Sequence, residues 1–122
     1  IGPEKIIFSD KATTVTLPAY EGNMGVMSNH IPIITFLRPG IIKINKKDKK
    51  YEDFFVQDGT VEYFNDNLVV LSSSIINKKD LSREFLDRLT KETEEKLKKK
   101  DITDHDLYVL NHKLNAIKEI EI

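Results

Sequence analysis

The chain is predicted to be α+β: an N-terminal antiparallel β-sandwich over residues 1–76, then a C-terminal antiparallel two-helix hairpin over residues 80–122. Three observations predict this. Up to residue 76, β-branched and aromatic runs short enough for strands alternate with turn signals, roughly every 8–12 residues. Asp58-Gly59, set between two such runs, is the strongest short-range signal for a hairpin turn. From Asp80 onward there is neither Gly nor Pro, and the apolar period moves from two to about 3.6.

Taken in order, residues 5–8 and 13–17 read as strands around the turn-like Ser9-Asp10. The stretch 17–44 organises the rest, because Pro18, Gly22, Gly25, Pro32, Pro39 and Gly40 specify its backbone heavily. Gly reaches positive φ and Pro fixes φ, so this reads as a loop held in one shape, with His30 at its end. Within it, residues 24–27 are a further strand candidate, with Gly25 at a bulge or close approach. Residues 33–37 and 41–45 follow, joined through Arg38-Pro39-Gly40. Residues 46–50, Lys-Lys-Asp-Lys-Lys, read as a charged hairpin tip. Residues 51–57 and 60–64 flank Asp58-Gly59. The chain turns again at Asn65-Asp66, and residues 68–72 read as the last strand.

Asp80 is placed as the N-cap of the first helix, whose stripe is Leu81, Phe85, Leu89 and Leu97, with Leu86 beside it. Lys98-Lys99-Lys100 sets cations where the helix macrodipole favours them. Thr103 with Asp106 resembles a capping box. The second helix presents Leu107, Leu110, Leu114 and Ile117 as a narrow seam toward the first. Such narrow stripes bury little area, so the hairpin should be marginal unless docked. It is expected to fold down beside the sandwich.

Composition excludes several classes. A formal net charge of −1 leaves no basic footprint for nucleic acid. Cysteine is absent, which removes disulfides, thiolate nucleophiles and Cys-based zinc sites together. No apolar run approaches the roughly 20 residues a membrane helix needs. The chain opens on Ile1 rather than Met, so its start is expected to be trimmed or incomplete.

The residues Pro18-x-x-Glu21-Gly22-x-x-Gly25-Val26, His30-x-Pro32, Leu37-x-Pro39-Gly40, Phe55-Val56 before Gly59, and Leu71 resemble, in register, the epsilon subunit of the F-type rotary ATP synthase, whose mitochondrial counterpart is called delta. The likeness covers nearly the whole chain, including the order of its parts. It implies a non-catalytic rotor subunit of the central stalk that binds gamma with one side of the sandwich and the c-ring with its lower end, coupling proton flow to ATP synthesis. It also implies a peripheral place on the cytoplasmic face of the bacterial inner membrane, or alternatively on the matrix side of the mitochondrial one. The c-ring contact loop carried over by the likeness is Asn23, Met24, Met27, Ser28, Asn29 and His30. The chain departs from relatives at Ser28-Asn29, where Pro-Gly is common, at Asn23, where an acid is common, and at Asp58-Gly59, where Gly-Gly is common. The family's first strand begins earlier than Glu4, so that strand is expected to be missing. Relatives fill the hairpin with Ala, whereas here Ala116 stands alone.

The likeness also raises ATP binding and inhibition by the hairpin. Asp80 and Arg83 keep an Asp-x-x-Arg spacing, but Lys79 replaces the leading aliphatic and Glu84 the trailing Ala. Glu84 would repel a triphosphate, so ATP binding is disfavoured, while inhibition of hydrolysis stays open. No cofactor, metal or catalytic residue is assigned. His30 lacks a partner for acid–base work and reads as structural or interfacial. His105 and His112 lie seven residues apart on one helix face, where a metal pair would prefer four, and read as solvated. Met24 and Met27 serve equally as an adaptable contact pair or as core. A small ligand- or peptide-binding sandwich module remains the alternative. It explains the strands but not the hairpin, and only Tyr20 offers it a loop-end aromatic. A hydrolase is disfavoured for want of a nucleophile and base.

Overall fold

In the computed structural model, which describes residues 4–9, 12–27, 32–46, 51–64 and 67–120, the chain forms an antiparallel β-sandwich followed by two helices. The strands are β1 Glu4–Ser9, β2 Ala12–Ala19, β3 Gly22–Met27, β4 Ile33–Leu37, β5 Gly40–Lys46, β6 Tyr51–Val56, β7 Gly59–Phe64, β8 Asn67–Ser72 and β9 Ile75–Asn77. A 3₁₀ turn at Lys78–Asp80 leads to α1, Arg83–Leu97, and α2, Asp104–Ile120. The hydrogen-bonded path runs β1-β8-β7-β4-β2-β5-β6-β9, with β3 on the other flank of β2. Its weakest link is the single pair Ala19↔Leu37 between β2 and β4. There the path folds over into two layers, β1-β8-β7-β4 and β3-β2-β5-β6-β9.

Alternation along each strand decides what lies between the layers. Val15 and Leu17, Ile42 and Ile44, Val61 and Tyr63, and Leu68 and Val70 point inward and are buried. Burying this set is what holds the layers together, at about 25 cal/mol per Å² of apolar surface removed from water.

Three expected features come out differently. First, Asp58-Gly59 does not close a hairpin, because β6 pairs with β5 and β9 while β7 pairs with β4 and β8. The Asp58-Gly59 pair is instead a corner where the chain crosses between layers. Gly59 has φ 147°, and a Cβ there would stand 2.7 Å from the Leu71 carbonyl oxygen. The Asp58 carboxylate ties this corner to the neighbouring crossing from β8 to β9. It accepts from the Ser72 hydroxyl (2.9 Å), the Ser73 amide (3.1 Å) and the Ser73 hydroxyl (2.7 Å). Second, β8 is not the last strand. Beyond the crossing, β9 pairs with β6 through Val56↔Ile75 and Phe54↔Asn77. The apolar run of β9 is too short to stand out by periodicity.

Third, the N-cap of α1 is Ser82, whose Oγ accepts from the Phe85 amide at 3.1 Å, while Asp80 belongs to the 3₁₀ turn. The buried stripe of α1 is accordingly Leu86, Leu89 and Thr93, with Leu81, Phe85 and Leu97 only half-buried. Thr93 is tolerated there because its hydroxyl donates back to the Leu89 carbonyl at 2.7 Å. Thr103 Oγ1 accepts from the Asp106 amide at 3.0 Å at the start of α2. In α2, Leu110 and Ile117 are buried and Leu114 half-buried, but Leu107 is 41% exposed and lies outside the seam. Ala116 and Ile120 bury in its place, because α2 packs on the sheet as well as on α1.

The hairpin lies against the outer face of the five-stranded layer. Ile41 of β5 and Phe55 of β6, paired across the strands, join Leu86, Leu89, Ala116, Ile117 and Ile120 in a second core. The small side chain of Ala116 is what lets α2 approach the sheet closely. A peripheral ion pair, Lys43 Nζ to Glu119 Oε1 at 3.8 Å, adds little because both side chains are half exposed.

Candidate functional site

The stretch expected as a contact loop divides into two parts. Asn23, Met24 and Met27 lie in β3, which pairs with β2 through Leu17↔Met24 and Thr14↔Met27. A strand, not a loop, carries them. The exposed Asn23 accepts through its Oδ1 from Arg38 Nη2 at 3.0 Å. Met24 turns inward, half-buried against the sandwich core. Ser28, Asn29 and His30 fall outside the described residues.

The two outer faces of the sandwich differ. The hairpin covers one. On the other, formed by β4, β7 and β8, register sets Ile34, Glu62 and Val69 in one row and Phe36, Thr60 and Leu71 in the next. Ile34 is 76% exposed, Phe36 64%, Phe64 58% and Leu71 40%. Four large exposed apolar side chains thus share one sheet face, interleaved with Thr60 and the exposed Glu62, and exposed apolar groups gathered on one face mark protein interaction sites.

A third surface is the junction of the hairpin with the sandwich. The Tyr108 hydroxyl donates to the Tyr20 carbonyl in the β2–β3 turn. The Tyr20 ring stacks on Tyr108 at 5.5 Å and on His105 at 6.0 Å, and Tyr108 meets His112 at 4.3 Å. The two histidines expected to be solvated both meet aromatic rings; His105 is exposed, as expected, whereas His112 is half-buried. Burial, and then the neighbouring Arg38 guanidinium, hold the His112 imidazole below its ordinary range. The Arg38 Nε is itself buried and has no hydrogen-bond partner among the described residues.

Sequence reasoning missed Tyr108, Thr93 and the pair Ile41–Phe55 as determinants of the hairpin's position, and it read Asp58 as part of a hairpin turn, not as the tie of a corner. Tyr20 carried a signal, as an aromatic next to a turn. Among the described residues, no group of three or more His, Asp or Glu side chains is placed to hold a metal.

These features match known proteins. The family model described as ATP synthase, Delta/Epsilon chain, beta-sandwich domain matches residues 1–78, ending one residue after β9. An ATP synthase epsilon chain of Pelagibacter ubique is 43% identical over 121 residues, 98% of this chain and 92% of that protein. One from Polynucleobacter necessarius is 36% identical over 107 residues, 88% of this chain and 77% of that one. A chain of the Euglena gracilis mitochondrial ATP synthase, solved as OSCP/F1/c-ring in a rotational state, has a TM-score of 0.68 over 92% of this chain and 69% of its own. At 18% identity it shows the shared fold alone. With its sandwich matched as a unit and a named relative aligned almost end to end, the chain belongs to the ATP synthase epsilon-chain family, a non-catalytic subunit of that complex.

Proposed function

We propose that this chain is the central-stalk rotor subunit that joins gamma to the c-ring of a rotary, proton-translocating ATP synthase and so passes the torque of proton flow to the catalytic head. The observation that carries this is the inequality of the two sandwich faces. One is covered by the chain's own hairpin, while the other leaves Ile34, Phe36, Phe64 and Leu71 in solvent. An apolar sheet face of this kind suits a permanent partner, and gamma is the occupant proposed. The c-ring contact is proposed at β3 and the following residues, through Asn23, Met24, Met27, Ser28, Asn29 and His30. Two units are proposed, the sandwich over residues 1–76 and the hairpin over 80–122.

The hairpin is proposed to restrain ATP hydrolysis when it leaves the sandwich. Its docked form rests on the apolar cluster around Ile41 and Phe55 and on the Tyr108 tie to the β2–β3 turn, and leaving the sandwich gives up both. ATP binding is disfavoured, since Glu84 follows Arg83 at the start of α1 and both are exposed. The membership of the Pelagibacter and Polynucleobacter chains in the same family favours the cytoplasmic face of a bacterial inner membrane over the mitochondrial matrix.

Co-expression with gamma tests the central reading. Ile34→Asp with Phe36→Asp alters two exposed positions, so the sandwich should fold with an unchanged circular dichroism spectrum. Gamma should then fail to co-purify. Undiminished recovery of gamma with the folded variant would remove this face from the interface.

A further inference from the structure

On the sandwich side of α2 lies a groove of about 280 Å³, whose opposite wall is formed by β2, β5 and the connection that precedes β5. Arg38 enters it from that connection, Asn23 from β3, and His112, Asn115 and Glu119 from α2. Among the described residues, its lining takes nothing from α1, so it is a junction between α2 and the sheet and not a cleft between the two helices.

Arg38 is half-buried, and neutral acceptors alone meet its guanidinium. Nη1 donates to the Pro39 carbonyl at 3.4 Å and Nη2 to Asn23 Oδ1 at 3.0 Å. Its Nε is buried with no hydrogen-bond partner among the described residues, and none of their carboxylates stands within ion-pair distance. Glu119, the acid of the groove, turns to Lys43 Nζ at 3.8 Å instead. A cation partly withdrawn from water without a counter-charge is costly. His112 brings a second basic group to the same groove, and burial, then the Arg38 charge, disfavours its protonation. An anion between the two supplies the counter-charge and relieves that repulsion.

Shape and lining narrow the anion. The groove is smaller than the roughly 300–1,000 Å³ of drug-sized and cofactor sites, which leaves no room for a nucleotide. Pro18, Ile41 and Ala116 give it apolar walls. Glu119 would repel a second acidic group, so a single charged end is favoured. Each Nη of Arg38 keeps another N–H, and two parallel N–H bonds from a planar guanidinium match the two oxygens of a carboxylate. We propose that this groove binds a short-chain monocarboxylate, its head on Arg38 and its hydrocarbon chain along Pro18, Ile41 and Ala116. Because the ligand touches α2 and the sheet together, it fastens the hairpin in its docked position.

The test uses the full chain, isotope-labelled for NMR, in a buffer free of carboxylates and phosphate. Sodium propionate is the probe, with sodium chloride at equal ionic strength as the control. The Asn115 and Ala116 amides should shift saturably with propionate, with dissociation in the millimolar range that suits so few atoms. Bound propionate should move the His112 titration upward, since a carboxylate favours the imidazolium, and should slow exchange of α2 amides relative to the sandwich. Arg38→Gln should lower the affinity by at least about tenfold, and Arg38→Lys, which lacks the planar fork, should restore it only in part. Should Arg38→Gln melt early, Asn115→Asp alters an exposed residue, sets a fixed carboxylate in the groove and should weaken binding as much. Shifts that do not saturate, equal shifts with chloride, or wild-type affinity in a folded Arg38→Gln or Asn115→Asp variant would overturn the site.

Discussion

Asp58 illustrates how one side chain can decide a topology. Its carboxylate holds two crossings of the sandwich side by side, accepting three hydrogen bonds from Ser72 and Ser73. Burial by itself would raise its pKa, but the bonds from Ser73 and Ser72 outweigh this, helped by Lys113, and the net shift is downward. For an acid whose folded pKa is depressed, the unfolded chain binds more protons, so the contribution is full above the ordinary aspartate range and is lost as pH falls through the folded value. Asp58→Ala should cost about 1–3 kcal/mol in urea unfolding at pH 7. The difference between variant and wild type should shrink below about pH 4. A constant difference across that range would mean that the charge of Asp58 is immaterial. Gly59 beside it is held by geometry of another kind, since any Cβ there meets the Leu71 carbonyl.

Among the elements, α2 is the one whose position is conditional. Ala116, Ile117 and Ile120 dock it on Ile41 and Phe55, and Tyr108 ties it to the β2–β3 turn. Beside that tie, His112 faces Arg38 from the β4–β5 connection, with Lys43 of β5 and Glu119 of α2 in the same groove and Tyr108 against its ring. His105 stacks on Tyr20 as well. The docked state depresses the pKa of His112, so the undocked state takes up the proton more readily. Docking should therefore be strongest above the ordinary imidazole range and weaken as pH falls below it. Hydrogen exchange of α2 amides should speed up between about pH 7.5 and pH 5.5, relative to the sandwich amides. His112→Gln should remove most of that pH dependence. If the variant retains it, the proton acts elsewhere.

For the whole molecule, the hairpin is both a cover and a movable part. Deleting residues 80–122 bares Ile41 and Phe55 on the outer face of β5 and β6. The sandwich core on the other side of that layer is untouched, so the truncated chain should keep its strand content yet self-associate in sedimentation. Replacing Phe55 by Ser in the truncated chain should restore the monomer. In a reconstituted ATP synthase, the same deletion should raise ATP hydrolysis several-fold, as expected of a hairpin that restrains the motor. An unchanged rate would confine the hairpin to a structural role.

What the sequence determined by itself is whatever depends on neighbours along the chain. Alternation and turn residues placed strands near their observed bounds, with Ile33–Leu37 coinciding fully, and the loss of Gly and Pro after Asp80 marked the change to helix. The run of motifs from Pro18 to Leu71 was enough to point to the family. The tertiary structure alone decided which strands pair, because a turn signal says that the chain reverses or bends but not which sheet receives the next strand. That is why Asp58-Gly59 reads as a hairpin and is a crossing. It also decided which face of each helix is buried. An apolar stripe records only how much surface wants cover, whereas a hairpin that docks on a sheet needs two faces. Leu107 falls outside that contact, while Ala116 lies within it and Thr93, a polar residue, is buried on α1. Nor could spacing reveal the exposed face of β4, β7 and β8, since an outward Phe36 and an inward Leu37 are alike in composition and differ only in which side of the sheet they occupy.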